Sequence, residues 1–272
     1  MSNQKVILIT GTSSGNGQAI ARLLAQRGFT VFGTSRNPAG SERLPNVEVL
    51  PLDVRSDESV QACVDAVLQR AGRLDILVNN AGYVLGGAIE EVSIEEAKSQ
   101  FETNLFGVMR VIQAVLPTMR RQASGQIINV SSLVGLVPVP FLGGYSASKF
   151  ALEGYTEALR HEVKPFNIRV SLIEPGFIRT SLARNRLYAA RRIQDYDPWR
   201  ERAYEVIHHS EETAPEPTLA AESVLHVIQS KSPKTRYQVG KDAISLPRLR
   251  RFLPESLFEQ GVRNHFHLDA KS

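Results

Sequence analysis

Apolar positions in this chain follow two alternating rhythms. Short runs in which most residues are apolar or β-branched, "KVILIT", "FTVFGT", "VEVLPLDV", "LDILVNN", "GQIINVSS" and "IRVSLIEP", have the length and uniform apolarity of buried strands. Between most of them lie longer stretches such as "GQAIARLLAQRG" and "DESVQACVDAVLQRAG", whose apolar residues recur at the period of a helix with one buried face. This alternation predicts an α/β fold, a doubly wound parallel sheet with helices on both faces. No internal repeat, low-complexity tract or Pro/Gly linker interrupts the pattern before residue 180, so residues 1–272 read as a single domain. From 181 to 217 the pattern loosens into charged and aromatic sequence, and a further strand candidate, "TRYQVG", follows it. The segment reads as an insertion within the domain, a lid over a substrate site.

Composition narrows the class of molecule. With 272 residues, 42% of them hydrophobic and 22% charged, the chain can bury one large core and has an ordinary globular balance. No apolar run approaches the ~20 residues of a membrane span. "MSNQKVILIT" enters a strand-like run directly, so a cytoplasmic location is expected. The net charge of +4 is concentrated in "RNRLYAARR" and "PRLRRFLP". Without the aromatic interleaving or fold signature of a nucleic-acid binder, these runs read as solvated faces, or as a surface for an anionic partner. The one cysteine, Cys63, excludes an internal disulfide and reads as a packing residue. His208/His209 and His265/His267 lack i, i+4 spacing, and no catalytic metal is expected. "EEVSIEEAKSQ" reads as a solvated helix start capped by Ser93.

Two stretches carry candidate chemistry. "TGTSSGNG", Thr10 to Gly17, ends the first strand candidate and opens a helix, where backbone N–H groups can face a pyrophosphate and glycine keeps side chains out of the way. Its Gly-x-x-x-Gly-x-Gly spacing differs from the common dinucleotide fingerprint. "GGYSASK" puts Tyr145 and Lys149 four residues apart on one helix face. Such a pair arises often by chance, but a nearby cation also favours a phenolate.

The motifs in sequence resemble the short-chain dehydrogenase/reductase family over Lys5 to Thr180, roughly two-thirds of the chain: "TGTSSGNG", Asp53 and Val54, "NNAG" at Asn79 to Gly82, Asn104 in "FETNLFG", Ser132 in "NVSS", "YSASK", and "PGFIRT". The resemblance implies a Rossmann-like fold and hydride transfer between a nicotinamide and a carbonyl carbon, with a proton exchanged at the oxygen. It makes Tyr145 the general acid/base and Lys149 the cation that lowers its pKa and holds the nicotinamide ribose. Ser132, favoured over Ser131 by its separation from Tyr145, would hold the substrate oxygen, so Ser132 and Tyr145 would contact the substrate. Asn104, in a helix, would hold a water feeding protons towards Lys149. The implied cofactor contacts are Gly11, Ser13, Ser14, Gly15, Asn16, Gly17, Asp53, Val54, Asn80, Ala81, Gly82, Tyr145, Lys149, Pro175, Gly176, Phe177, Ile178 and Thr180. Asn16 departs from the aliphatic residue usual in the family.

At the end of the second strand candidate, "TVFGTSRN", Ser35 and Arg36 stand where an NAD-selective fold places an acidic residue, so NADP(H) is the expected cofactor, with Arg36 on its 2′-phosphate. The stretch from Ser148 to Thr180 resembles the 17β-hydroxysteroid and retinol dehydrogenase branch. Tyr83, Val84, Leu85, Leu136, Val139, Phe141 and Leu142 suit an apolar carbonyl or alcohol substrate. The alternatives are a 3-oxoacyl thioester reductase and a catalytically silent NADP-binding sensor or scaffold. The intact Asn104, Ser132, Tyr145 and Lys149 set argues against the latter. By resemblance, helices around 104–121 and 145–163 would pair subunits into a homodimer or homotetramer.

Overall fold

The structure is a computed structural model that describes residues 4–180 and 186–269. The apolar runs become strands β1 (Val6–Ile9), β2 (Thr30–Ser35), β3 (Val47–Pro51), β4 (Ile76–Asn79), β5 (Leu85–Gly86), β6 (Gly125–Val130), β7 (Ile168–Pro175), β8 (Leu187–Tyr188) and β9 (Arg236–Val239). Seven of them form one sheet in the order β3-β2-β1-β4-β6-β7-β9, with every neighbouring pair parallel. The helices are α1 (Gly15–Gln26), α2 (Asp57–Ala71), α3 (Ile94–Phe101), α4 (Gly107–Arg121), α5 (Gly143–Glu162), α6 (Asp197–Glu212), α7 (Thr218–Gln229), α8 (Lys241–Phe252) and α9 (Glu255–His265). The fold is the expected Rossmann-like doubly wound α/β architecture.

Successive strand residues point to opposite faces, so each strand feeds two cores. Leu8, Phe32, Leu77, Ile127 and Val170 pack against Val64, Ile112 and Leu152 from α2, α4 and α5. Their neighbours Ile7, Val31, Ile76, Ile128 and Ile173 pack on the other face, against Leu24 of α1 and Val224 of α7. This two-sided burial is why the strand runs are uniformly apolar rather than alternating. Cys63 lies in the first of these cores, where burial pushes its thiol up to about 11. Phe150 lies exposed on α5 with the Arg250 guanidinium 5.7 Å from its ring centre.

The sheet order reverses between β1 and β4, which opens a crevice at their carboxyl ends. All the loops that carry the sequence motifs leave the sheet at that edge. Beside it, β5 pairs with β8 and brings the chain after residue 185 back over the crevice. An ion pair anchors that return: Arg200, on α6, meets both Glu91 and Asp197, and Glu91 also accepts from the Ala88 and Ile193 amides. Glu91 therefore departs from the expected solvated helix start; it is 3% exposed. Gln100 at the other end of the stretch is also buried, whereas the expected cap holds: Ser93 caps α3 in a reciprocal capping box with Glu96.

Candidate active site

The β1–α1 turn is built around two backbone constraints. Gly11 and Gly15 have φ of 72° and 58°, a region that favours glycine. Gly17 is pinned by proximity, because a Cβ there would lie 2.1 Å from the Gly11 carbonyl oxygen and 2.3 Å from Asn80 Nδ2. Asn80 donates to the Thr10 and Gly11 carbonyls at 3.1 and 2.8 Å, while Thr10 Oγ1 accepts from the Asn80 and Ala81 amides. Deeper in, Asn79 donates to Asn129, and Asn129 to Thr156, tying β4, β6 and α5 together. The "NNAG" asparagines thus brace the sheet.

A cavity of about 1060 Å³ runs along this edge, lined at one end by Gly11, Ser13, Ser14, Gly15, Asn16, Arg36, Asp53 and Val54. Asn80, Ala81, Gly82, Ser132, Tyr145, Lys149, Pro175, Gly176, Phe177, Ile178 and Thr180 continue it. Of the site residues expected from sequence, Gly17 and Asn104 do not line it. Of the expected apolar wall, Tyr83, Val84 and Leu142 do, whereas Leu85, Leu136, Val139 and Phe141 do not. Val139 and Phe141 back that wall, packing in the same cluster as Val84, Leu142 and Tyr145 together with Ala203 and Phe266, and Leu136 packs towards Ala243.

Tyr145 and Lys149 share the face of α5 turned to β6. Burial raises the Tyr145 phenol above its ordinary range, while a hydrogen bond with Ser132 and the charge of Arg186 oppose that rise. The Lys149 ammonium donates to the Val130 carbonyl at 2.9 Å and lies 6.0 Å from the centre of the Tyr145 ring. Burial brings Lys149 itself down to about 8, against the pull of Glu153 one turn along. Ser132 Oγ accepts from the Val134 amide, whereas Ser131 lies buried on the Glu153 side of β6. Behind them, Glu153 and Glu174 are both buried carboxyls, and Arg236 reaches them at 3.0 and 3.4 Å. Burial and the neighbouring Glu153 carboxyl hold Glu174 up at about 8.

Asn104 sits in a π-helical turn, Glu102–Phe106, rather than in regular α-helix. Its carboxamide is fully buried, accepting from the Tyr83 amide at 3.1 Å and donating to the Tyr83 carbonyl at 3.0 Å and Ser148 Oγ at 3.2 Å. It clamps the loop that carries Tyr83 past the cavity. Such turns recur at functional sites because one extra residue redirects a side chain.

The short chain dehydrogenase family model matches residues 5–190, more than half of the chain. The chain belongs to the short-chain dehydrogenase family. It is 38% identical to a 3-ketodihydrosphingosine reductase of Bacteroides thetaiotaomicron over 262 residues, 95% of this chain and 97% of that one. It is 41% identical to bovine retinol dehydrogenase 8 over 188 residues, 65% of this chain and 60% of that one. A short-chain dehydrogenase/reductase from Burkholderia phymatum, solved in complex with NAD, superposes with a TM-score of 0.78 at 27% identity, covering 94% of this chain and 95% of that one. This dehydrogenase is accordingly an oxidoreductase acting on CH–OH and C=O groups.

A nicotinamide dinucleotide suits the residues present. The dehydrogenase's α1 begins without a side-chain cap and without an acidic residue in its first turn, leaving its N–H groups and positive dipole end for an anion. Asn16 Oδ1 is buried there with no hydrogen-bond partner among the described residues. Further along, Arg55 grips Asp53 with a guanidinium fork and holds its carboxyl at about 2.

Sequence reasoning missed several residues of the dehydrogenase cavity. Arg55 lines it and follows Asp53 by two positions, a signal that was available in the sequence. Arg186, Leu187, Ile207 and Glu211 also line it, brought in by β8 and α6, and no motif marks them. Among the described residues, no helix is long and apolar enough to cross a membrane.

Proposed function

We propose that this dehydrogenase uses NADP(H) to interconvert a carbonyl and a secondary alcohol on an apolar small molecule. The observation that carries the reading is the convergence of Ser132, Tyr145 and Lys149 in one cavity whose other end is the glycine cradle and Arg36. When bound, the nicotinamide donates or accepts the hydride. Ser132 and Tyr145 hold the substrate oxygen, and Tyr145 gives it a proton as the carbonyl carbon is reduced, or takes one in the reverse direction. Burial keeps the phenol protonated at neutral pH, which matches the demand of the reductive direction. Lys149, fixed by the Val130 carbonyl, supplies a positive charge beside the ring and holds the cofactor ribose. Asn104 is the outer station of the proton path towards Lys149.

The preference for the phosphorylated cofactor rests on Arg36. It is exposed at the cavity rim after β2, and its guanidinium makes no hydrogen bond among the described residues. A 2′-phosphate offers that fork a matched set of acceptors. Val84, Val134 and Leu142 give the substrate end an apolar wall, and 3-ketodihydrosphingosine and retinol, named for two relatives, set the range of compounds to try. Residues 181–217 act as a lid. Residues 181–185 of it lie outside the described residues, while Arg186, Leu187, Ile207 and Glu211 already face the cavity.

The test is steady-state kinetics with ketones, retinal and 3-ketodihydrosphingosine, using NADPH and NADH, on wild type, Arg36→Ala and Tyr145→Phe. Tyr145→Phe is expected to bind cofactor normally and lose about 10² to 10⁴ in kcat. Arg36→Ala is expected to weaken NADPH by about tenfold or more and to leave NADH little changed. Near-normal kcat in the first variant overturns the role of Tyr145, and equal weakening of both cofactors in the second overturns that of Arg36.

A further inference from the structure

The cavity holds a second polar feature that proton transfer does not use. The Arg186 side chain, 2% exposed, is ion-paired with Glu211 on α6, and both line the cavity that Tyr145 lines. They lie close enough to the phenol for both charges to act on it, Arg186 favouring its ionised form and Glu211 opposing it. Glu211 takes up only part of the guanidinium. Arg186 Nε and Nη1 are buried and find no hydrogen-bond partner among the described residues, and the buried hydroxyl of nearby Tyr204 finds none either. Glu211 Oε2 has His208 Nδ1 at 3.6 Å, an ion-pair distance rather than a hydrogen bond.

Buried guanidinium N–H groups left without acceptors are costly, and the apolar stretch of the wall, Val84, Val134, Leu142, Phe177 and Ile207, offers none from its side chains. A wholly hydrocarbon substrate would seal these donors away from water without satisfying them. Charge limits what can satisfy them. Arg186 and Glu211 already balance each other, so an anionic substituent would approach the Glu211 carboxylate and a cationic one the guanidinium. A neutral oxygen accepts from Arg186 without either repulsion. We propose that the substrate carries an uncharged oxygen, a hydroxyl or second carbonyl, close to the carbonyl it presents to Tyr145, and that Arg186, held in place by Glu211, selects for it. This deepens the carbonyl–alcohol reading above and rests on it for the substrate's orientation.

The experiment compares 1-hydroxy-2-dodecanone with 1-fluoro-2-dodecanone, which is a poor acceptor and withdraws electrons more strongly, so that electronics alone would favour the fluoroketone. In wild type with NADPH, kcat/KM is expected to favour the hydroxyketone by about tenfold or more, the value of a charge-assisted hydrogen bond. In Arg186→Met the ratio is expected to collapse towards one. A ratio near one in wild type, or one kept in Arg186→Met, overturns the proposal. The wild-type ratio needs no variant, so it decides the matter even if Arg186→Met folds poorly. Affinities of both ketones for the NADPH complex of Tyr145→Phe separate this inference from the catalytic one. If wild type reduces neither ketone but the complex binds the hydroxyketone about tenfold more tightly, carbonyl reduction falls and the role of Arg186 stands. Equal affinities overturn that role.

Discussion

Two glycines in helices respond to the same substitution in opposite directions. Replacing either by alanine gains about 0.5–1 kcal/mol of helix propensity. At Gly154, exposed on α5, an added Cβ has nothing within 4 Å, so the gain stands alone. At Gly17 the Cβ would lie 2.1 Å from the Gly11 carbonyl oxygen, whereas ordinary contact begins near 3.4 Å, so the turn must yield by about 1.3 Å. The obstructing atom is backbone and cannot rotate away, which puts the overpacking cost at the upper end of about 1–3 kcal/mol. Displacing Gly11 also breaks its 2.8 Å bond from Asn80, a further loss of about 1 kcal/mol. The net is a destabilisation of roughly 2–3 kcal/mol for Gly17→Ala. At about 2–4 °C per kcal/mol, its melting midpoint should fall by roughly 5–10 °C while that of Gly154→Ala rises by a degree or more. Thermal unfolding without cofactor reads both, and a titration with NADPH should show weaker stabilisation of Gly17→Ala. Shifts of the same sign in the two variants, or a Gly17→Ala protein as stable as wild type, would refute the claim that the cradle is fixed by backbone contact.

Glu174 gives a pH signature. Its folded pKa of about 8 lies above the ordinary 4.5, so its contribution is complete below the ordinary value and is lost as pH rises through about 8. Glu174→Gln cannot ionise, so its melting midpoint should gain on that of wild type between about pH 5 and 9; parallel curves would count against a protonated Glu174. Arg200→Met strands the buried Glu91 carboxylate and should cost about 3–5 kcal/mol in urea unfolding, most of it recovered when Glu91→Gln is added. No recovery in the double variant would mean that the loss is packing rather than charge.

The sheet and the cradle were legible because their physics is local. A strand buried on both faces must be apolar at every position, and a turn that brings its own carbonyl against a helix must be glycine, so Val6–Ile9 and Gly17 can be read directly. The Tyr145–Lys149 spacing was equally plain, since four residues on a helix fix their relation. What the sequence concealed depends on distant partners. Arg186 and Glu211 are separated by 25 positions and meet only because β8 pairs with β5 and α6 folds back. Glu91 sits in an acidic run that looks solvated, and its burial is set by Arg200, 109 positions later. A strand of two residues, such as β5 or β8, is too short to show any periodicity. The direction of the Tyr145 shift was hidden for the same reason, because the burial that raises it, and the Arg186 and Glu211 charges that act on it, come from distant segments.

The π-helical turn at Glu102–Phe106 acts as a phase shifter in a single rod. Helical backbone runs unbroken from α3 into α4, with Glu102 at φ −56°, ψ −40° and Gly107 at φ −60°, ψ −42°. One additional residue rotates everything beyond it by about 100° on the helical thread. α4 can therefore aim Ile112 and Val115 at the core beside α2, while α3 aims Gln100 at the Tyr83 carbonyl beside the cavity. In an uninterrupted helix those two orientations would be locked together, and turning one to suit the core would swing the other out of the loop. Removing one residue from 102–106 would re-engage the thread, so the loop carrying Tyr83 and the packing of α4 could no longer both be satisfied. The extra residue lets the cavity wall change without re-cutting the core that supports it.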